Sequence, residues 1–589
     1  MTALKGKWQS YIFNAIISAA EKAGVDAGVE SPEKIIVGNP PKPEMGDFAF
    51  AMFPFAKAFK TAPPAIAGMV IAELENDAEA AASGSFTTAG PYVNVKVDMS
   101  DTASEVLDDI ISRGEDYGRV ESLAGKKIMV EFSCPNTNKP LHLGHLRNDS
   151  IGACISRILD AAGAEVMKVN LINDRGIHIC KSMLAYEKFG EGSTPESTGV
   201  KSDHFVGDYY VKFNKWSKED DTAIEGARKM LQDWEAGDKD TVELWKQMNK
   251  WTIDGIEETY QATGISFDKV YYESNTYSSG KEEVLKGLED GVFYKEEDNS
   301  IWIDLSEIKL DKKVLLRGDG TSLYMTQDLG TAIARQSDWP FDQLIYVVGS
   351  EQQYHFRVLF HILQKLGYTW AEDLKHLSYG MVNLPDGKMK SREGTVVDAD
   401  DLVKQLTELA REEIIGKERA EEVDNLDYTS HAIALGALNY YLLQVSPSKD
   451  MIFNPSESLS FNGNTGPYLQ YMGARISSMI RKYDERKPDF AGIEADASLL
   501  QVEEEKELIK MLISWPEMVS QAASDYNPSI ITAFMYDLAK TFSRFYHDNP
   551  VLNNDDKILA VTRMKLSAAV LNVLKSGFKL IGIPYLEKM

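Results

Sequence analysis

Apolar positions at helical spacing open the chain in MTALKGKWQSYIFNAIISAAEKAG, and a Gly/Pro-rich turn, VGNPPKPEMGD, follows. The apolar run FAFAMFPFAKAFK then predicts a helix. A further helix leads into YVNVKVD, whose alternation predicts a strand, so residues 1–105 form a small α+β unit. From Lys126 the pattern changes. KKIMVEFSCP is an apolar run bounded by turn residues, HLRNDSIGACISRILDAAG has helical spacing up to Gly163, EVMKVNLIND is a second strand and GIHICKSMLAYEKFG a second helix. Strand, helix, strand, helix predicts a doubly wound parallel sheet. An acidic, largely helical stretch interrupts it between about 190 and 300. IYVVG at 345–349, the helix around FRVLFHILQKLG and the strand HLSYGMVNL resume it. After about residue 405 only helices are expected, in DLVKQLTELAREEIIG, SHAIALGALNYYLL, LQYMGARISSMIRKY, TAFMYDLAKTFSRFYH and MKLSAAVLNVLKSGFKLIG. The fold class is multidomain α/β: an α+β N-terminal domain over 1–105, a Rossmann-like doubly wound domain over 106–405 with an insertion at about 190–300, and an all-α domain over 406–589.

With 43% hydrophobic and 26% charged residues the chain reads as an ordinary globular protein. The first residues lack a signal peptide's apolar core and cleavage site, and no apolar run is long enough to span a membrane, so a cytoplasmic protein is expected. The cysteines, Cys134, Cys154 and Cys180, have no CxxC spacing, and neither disulfide nor zinc is expected. The balance of 90 acidic against 63 basic residues, net −27, runs against the basic footprint of a nucleic-acid binder. Binding depends, however, on the field within a Debye length of roughly 8 Å. Two local clusters reverse the sign: 468–488 holds five basic residues against two acidic, and 541–589 seven against four. Solvated helix faces produce such clusters too.

Two segments carry candidate chemistry. In VEFSCPNTNKPLHLGHLRNDSIG a strand ends in a Pro-containing turn and His142-Leu143-Gly144-His145 opens a helix. Ligands of open α/β sheets bind at the carboxyl ends of strands, where helix N-termini point N–H groups at anions. Gly144 leaves room for a close approach to the backbone, and His142 and His145 supply donors for phosphate oxygens, with Lys139 three residues upstream of the tetrapeptide. Two histidines at a helix start also serve simply to cap and pack. In DGKMKSREGTVVDADDL a Gly-bearing loop carries Lys388, Lys390 and Arg392, cations suited to closing over pyrophosphate; a basic surface turn has the same composition.

HLGH resembles the HIGH signature of class I aminoacyl-tRNA synthetases, and EFSCPNTNKPLHLGHLRND resembles the arginyl-tRNA synthetases in particular. The resemblance implies that His142 and His145 bind ATP and stabilise the pentavalent α-phosphate, with Gly144 beside them. Lys388, Met389, Lys390, Ser391 and Arg392 resemble the KMSKS loop with the second lysine replaced by Ser391, and Lys139 stands where many arginyl enzymes place a compensating lysine. Catalytic roles are thereby implied for His142, His145, Lys139, Lys388 and Lys390, and adenosine contacts for Gly349, Met381 and Val382. The arginine ligands implied are Glu131 and Asn136 in EFSCPN, Tyr324 and Asp328 in LLRGDGTSLYMTQDLGTAIAR, and Gln352 in IYVVGSEQQYHFRVLF, with Asn173 and Asp174 of NLINDRG as candidate lining. Read without the resemblance, Tyr324 and Asp328 are a helix-face pair and Asp174 an N-cap.

FNGNTGPYLQYMGARISSMIRK resembles the family's helical anticodon-binding domain, which implies tRNA contacts by Tyr468, Tyr471 and Arg475. EMGDFAFAMFPFAKAFK…AGPYVNVKV resembles its extra N-terminal tRNA-binding domain. The implied substrates are ATP with Mg2+, L-arginine and tRNA(Arg), with no bound cofactor, no metal site and a monomeric chain. A cysteinyl enzyme of the same class needs cysteine zinc ligands, which these three cysteines do not form. A glutamyl enzyme of the same class and a silent tRNA-binding paralogue are the remaining alternatives, and the intact Lys139, His142, Gly144 and His145 speak against the paralogue.

Overall fold

The structure, a computed structural model, describes residues 2–589 apart from 43–44, 322, 384, 386–396 and 418–422. The chain divides into two compact units. The first takes Met1–Gly118, Ile476–Met518 and Asp537–Ser576, and the second Arg119–Arg475, Val519–Tyr536 and Gly577–Met589.

In the first unit an antiparallel four-stranded sheet is ordered Val37–Gly38, Phe48–Ala51, Tyr92–Val97, Gly84–Ala89. Helices Thr2–Ala23 and Pro63–Asn76 supply Trp8, Ile12, Ile16, Ile66 and Val70 to its core. The expected helix over FAFAMFPFAKAFK is therefore half wrong. Phe48, Ala49 and Phe50 are all buried in a strand with neighbours on both sides, and only Ala56–Phe59 is α-helical. A short apolar run does not separate the two structures by periodicity. Helix Glu503–Asp525, with Pro516 inside it, was not among the expected helices.

The second unit is built on a five-stranded parallel sheet: β1 (Lys127–Glu131), β2 (Glu165–Ile172), β3 (Lys269–Tyr272), β4 (Gln343–Gly349) and β5 (Leu374–Tyr379), in the order β5-β4-β1-β2-β3. This is the doubly wound arrangement the alternation predicts. The chain leaves β1 through helix Leu143–Ala161 towards β2, and leaves β4 through helix Gln353–Lys365 towards β5 on the other side. The strand order thus reverses between β1 and β4, where such sheets open a crevice. β3 lies inside the stretch read as an insertion. Its four residues, KVYY, are too short to stand out between acidic helices, so the interruption ends before Lys269. The helices ahead of it, Ser202–Glu219, Thr222–Glu235 and Lys239–Thr263, share a core with helix Ile177–Phe189. HLSYGMVNL is split: Leu374–Tyr379 ends at Gly380, and Val382–Asn383 pairs instead with Met451–Ile452. No described helix is long and apolar enough to cross a membrane.

Candidate active site

The turn after β1 is held by amides from three directions. Ser133 and Cys134 have positive φ, 74° and 50°, an unfavourable conformation for residues with a Cβ. Asn148 Oδ1 accepts Ser133 N–H at 2.6 Å, Asn170 Oδ1 accepts Cys134 N–H at 3.0 Å, and Asn173 Nδ2 donates to Cys134 O at 3.0 Å. These bonds hold the EFSCPN corner in place. They also occupy Asn173, which ties the loop, while the exposed Asn136 bridges to it in parallel register.

Beyond the corner, His142 is the N-cap of helix Leu143–Ala161. Its Nδ1 accepts the Gly144 N–H at 3.1 Å, and His145 Nδ1 accepts the His142 N–H at 3.1 Å, a reciprocal capping box. The rings lie 3.9 Å apart, centroid to centroid. The Gly144 N–H is taken by His142, and a Cβ there would sit 3.0 Å from that ring, so the glycine makes room for the imidazole. With each Nδ1 accepting, each neutral ring carries its proton on Nε2 and keeps one N–H to donate. Burial, with the charge of Lys139, holds His142 down at about 4. Burial, with the charges of His142 and Lys139, holds His145 well below the usual histidine range. Burial also lowers Lys139. Lys139 and His142 line a cavity of about 170 Å³ together with His204, Asp208, Tyr210 and Asp398.

The turn is clamped to the far end of the basic loop. Leu143 N–H donates to Val397 O at 3.0 Å and Ala399 N–H to Leu141 O at 3.1 Å, an antiparallel bridge that pairs His142 with Asp398. Near the other end, Arg147, fully buried, donates to the carbonyls of Met381 (2.9 Å), Pro447 (3.3 Å) and Lys449 (2.6 Å). Met381 is exposed and Val382 is buried in the adjoining core. Lys388, Met389, Lys390, Ser391 and Arg392 lie outside the described residues.

An acidic cluster forms at the same edge of the sheet. Helices Glu273–Glu289 and Tyr324–Asp338 cross at a glycine pair: a Cβ on Gly280 would lie 1.7 Å from Thr326 O, and one on Gly330 would lie 2.5 Å from Gly280 N. That approach brings together Glu273, which directly follows β3, and Asp328. Burial pushes Glu273 up to about 7; Arg175 opposes this, while Asp328 and Asp174 add to it. Turning the Gln327 amide so that its nitrogen donates to Glu273 Oε1 at 2.7 Å lets its oxygen accept from Arg175 Nη1 at 2.6 Å. Asp328 is bound by His355 Nε2 at 2.5 Å, and His355 lies three residues past Gln352, at the end of β4. Tyr324 and Gln352 are exposed, and Gly349 ends β4. Asp174 caps helix Glu273–Glu289, accepting Ser274 N–H at 2.9 Å and Ser274 Oγ–H at 2.7 Å.

Glu131, implied by the resemblance as an arginine ligand, is 5% exposed, and its carboxylate pairs with Arg335, whose guanidinium lies 5.0 Å from the Tyr271 ring. Glu273, Arg175, Arg335 and His355 were not singled out in the sequence. None of them carried a usable signal, since the strand that ends just before Glu273 does not stand out between the acidic helices. Tyr468, half-buried, lies 5.9 Å from Tyr536, ring to ring; Tyr471 and Arg475 follow on the same helix.

The family model for the class I tRNA synthetase (R) catalytic domain matches residues 106–455. The DALR anticodon-binding domain matches 469–589, and the arginyl-tRNA synthetase N-terminal domain matches 7–97. The chain belongs to the arginyl-tRNA synthetases. It is 57% identical to an arginine–tRNA ligase of Treponema denticola over the whole of both chains, and 46% identical to one of Bacteroides thetaiotaomicron over 95% of this chain and 97% of the other. It superimposes on the Thermus thermophilus arginyl-tRNA synthetase with a TM-score of 0.78 at 25% identity, over 98% of this chain and 99% of that one. The α/β domain with its N-terminal and helical partners is thus the family's architecture.

Proposed function

We propose that the chain activates L-arginine with ATP and transfers the arginyl group to the 3′-terminal adenosine of tRNA(Arg). One observation carries this reading: a histidine-capped turn with two Nε2–H donors and a carboxylate cluster share the C-terminal edge of one parallel sheet, around the β1–β4 reversal. In the first step an oxygen of the arginine carboxylate forms a bond to the α-phosphorus of Mg-ATP, and the bond to pyrophosphate breaks. His142 and His145 donate to the charge gathering on the α-phosphate, and Lys139, Lys388, Lys390 and Arg392, with Met389 and Ser391 in the same loop, meet the leaving group. Gly349, Met381, Val382 and Gly144 border the nucleotide. In the second step a ribose hydroxyl of the terminal adenosine attacks the arginyl carbonyl and AMP leaves.

Asp328 and Glu273 read the guanidinium, because a planar fork of donors is best met by paired carboxylates. Asn136, Tyr324 and Gln352 complete the pocket. Glu131 braces it by holding Arg335, and Asp174 by capping the helix of Glu273. Residues 1–105 and 406–589 serve the tRNA, the latter through Tyr468, Tyr471 and Arg475. The chain acts as a cytoplasmic monomer. Exchange of labelled pyrophosphate into ATP, run with tRNA and each of the twenty amino acids, tests the reading. Exchange driven by arginine alone is expected; none with arginine, or a response to another amino acid, defeats it.

A further inference from the structure

Helix Ser202–Glu219 of the acidic insertion follows Lys201, whose ammonium is shared three ways: Asp400 Oδ2 at 2.6 Å, Thr259 Oγ1 at 2.6 Å and Asp203 Oδ2 at 3.3 Å. Asp400 also accepts from Thr259 Oγ1 at 2.9 Å and lies 3.1 Å from His204 Nε2. Asp203, His204 and Asp400 bring ligand atoms within 4.8 Å of one another, a spacing suited to a metal, but Lys201 already supplies the cation. What matters is where Asp400 stands. It lies in the first turn of helix Ala399–Gly416, two residues past the Asp398 that bridges to His142. The same insertion helix meets the other flank of the turn. A Cβ on Gly207 would lie 2.8 Å from Pro140 Cδ and 3.5 Å from Lys139 Cα, so the helix is seated against the approach to His142.

We propose that Lys201 is a positioning residue for arginine activation: by holding Asp400 it fixes residues 397–399 against the HLGH turn, and so aligns His142 with the ATP phosphates. This rests on the arginine-activating reading above. A lysine suits the task because its three donors meet the three acceptors present. The arginine pocket is built by other elements, β3, β4 and the helices that carry Glu273 and Asp328, and does not depend on this latch. Loosening the latch therefore affects turnover and leaves arginine binding intact.

The test uses the full-length chain, with tRNA present, in arginine-dependent pyrophosphate exchange. Lys201→Met is expected to lower kcat about 10- to 100-fold, the scale of an ångström of misplacement at the reacting groups. The KM for arginine stays within about twofold, the variant is folded at the assay temperature, and Lys201→Arg recovers most of the loss. Removing the ammonium leaves Asp203 and Asp400 facing each other. Should Lys201→Met fail to fold, Lys201→Met with Asp203→Asn relieves that repulsion and carries the same expectation. Wild-type kcat in the Met variant overturns the proposal. So does an equal loss in the Arg variant, a loss that tracks the folded fraction, or failure of both Met variants to fold. No arginine-dependent exchange by the unmodified chain overturns the functional reading instead.

Discussion

Because His142 accepts the Gly144 N–H through Nδ1, substitutions there separate capping from donation. Asparagine caps well but lacks the Nε2–H. His142→Asn should keep stability within about 0.5 kcal/mol of the parent, whereas His142→Ala loses about 1 kcal/mol. Both should lower activation by about 100- to 1000-fold, as removal of a transition-state donor does. Urea melts and pyrophosphate exchange measure the two effects; an active Asn variant would reduce His142 to a cap. The same rings set a pH dependence. Their folded values lie below the usual 6.5, so between pH 6.5 and about 4 the unfolded chain binds more protons. Stability from this source is full above pH 6.5 and falls as pH drops through that window. His142→Asn/His145→Asn should lose less stability on acidification than the parent, and parallel urea midpoints in the two proteins would refute this. At the opposite wall, Glu273→Gln should raise the KM for arginine about 10- to 100-fold, the worth of one charged hydrogen bond, with little change for ATP.

At the scale of elements, the pocket depends on the crossing of helices Glu273–Glu289 and Tyr324–Asp338. Gly280→Ala places a methyl 1.7 Å from Thr326 O, and backbone cannot yield as a side chain can. The helices must part, at a cost of about 1–3 kcal/mol or more, and Glu273 and Asp328 move apart with them. A lower melting temperature with a raised KM for arginine is expected. A variant that melts as the parent does and keeps its KM would show that this crossing does not set the pocket. The elements also show what the sequence could carry. β1, β2 and their helices were legible because each has a clean period and a punctuating Gly or Pro. FAFA was not, since an apolar run buried on both faces has no period to show. KVYY was not either, a four-residue edge strand behind long acidic helices.

At the scale of the whole molecule, the candidate site was legible where a tract is contiguous and folds locally, as in the HLGH turn that opens helix Leu143–Ala161. It was not where function comes from a crossing of distant segments. Glu273 lies far along the chain from His142 and carries no local motif; only the position of β3 in the sheet makes it a pocket residue. Likewise Arg335 claims Glu131 across 204 positions of chain, a pairing no local pattern announces. The net charge of −27 was a poor guide for the opposite reason, since an acidic surface and an acidic pocket look alike in composition. The most direct test of the shared site is a crystal structure with a non-hydrolysable arginyl-adenylate analogue. The guanidinium should lie about 3 Å from the carboxylates of Asp328 and Glu273, with the phosphate mimic against the Nε2 atoms of His142 and His145. A guanidinium seated away from both carboxylates, or a phosphate mimic away from the HLGH turn, would contradict the assignment.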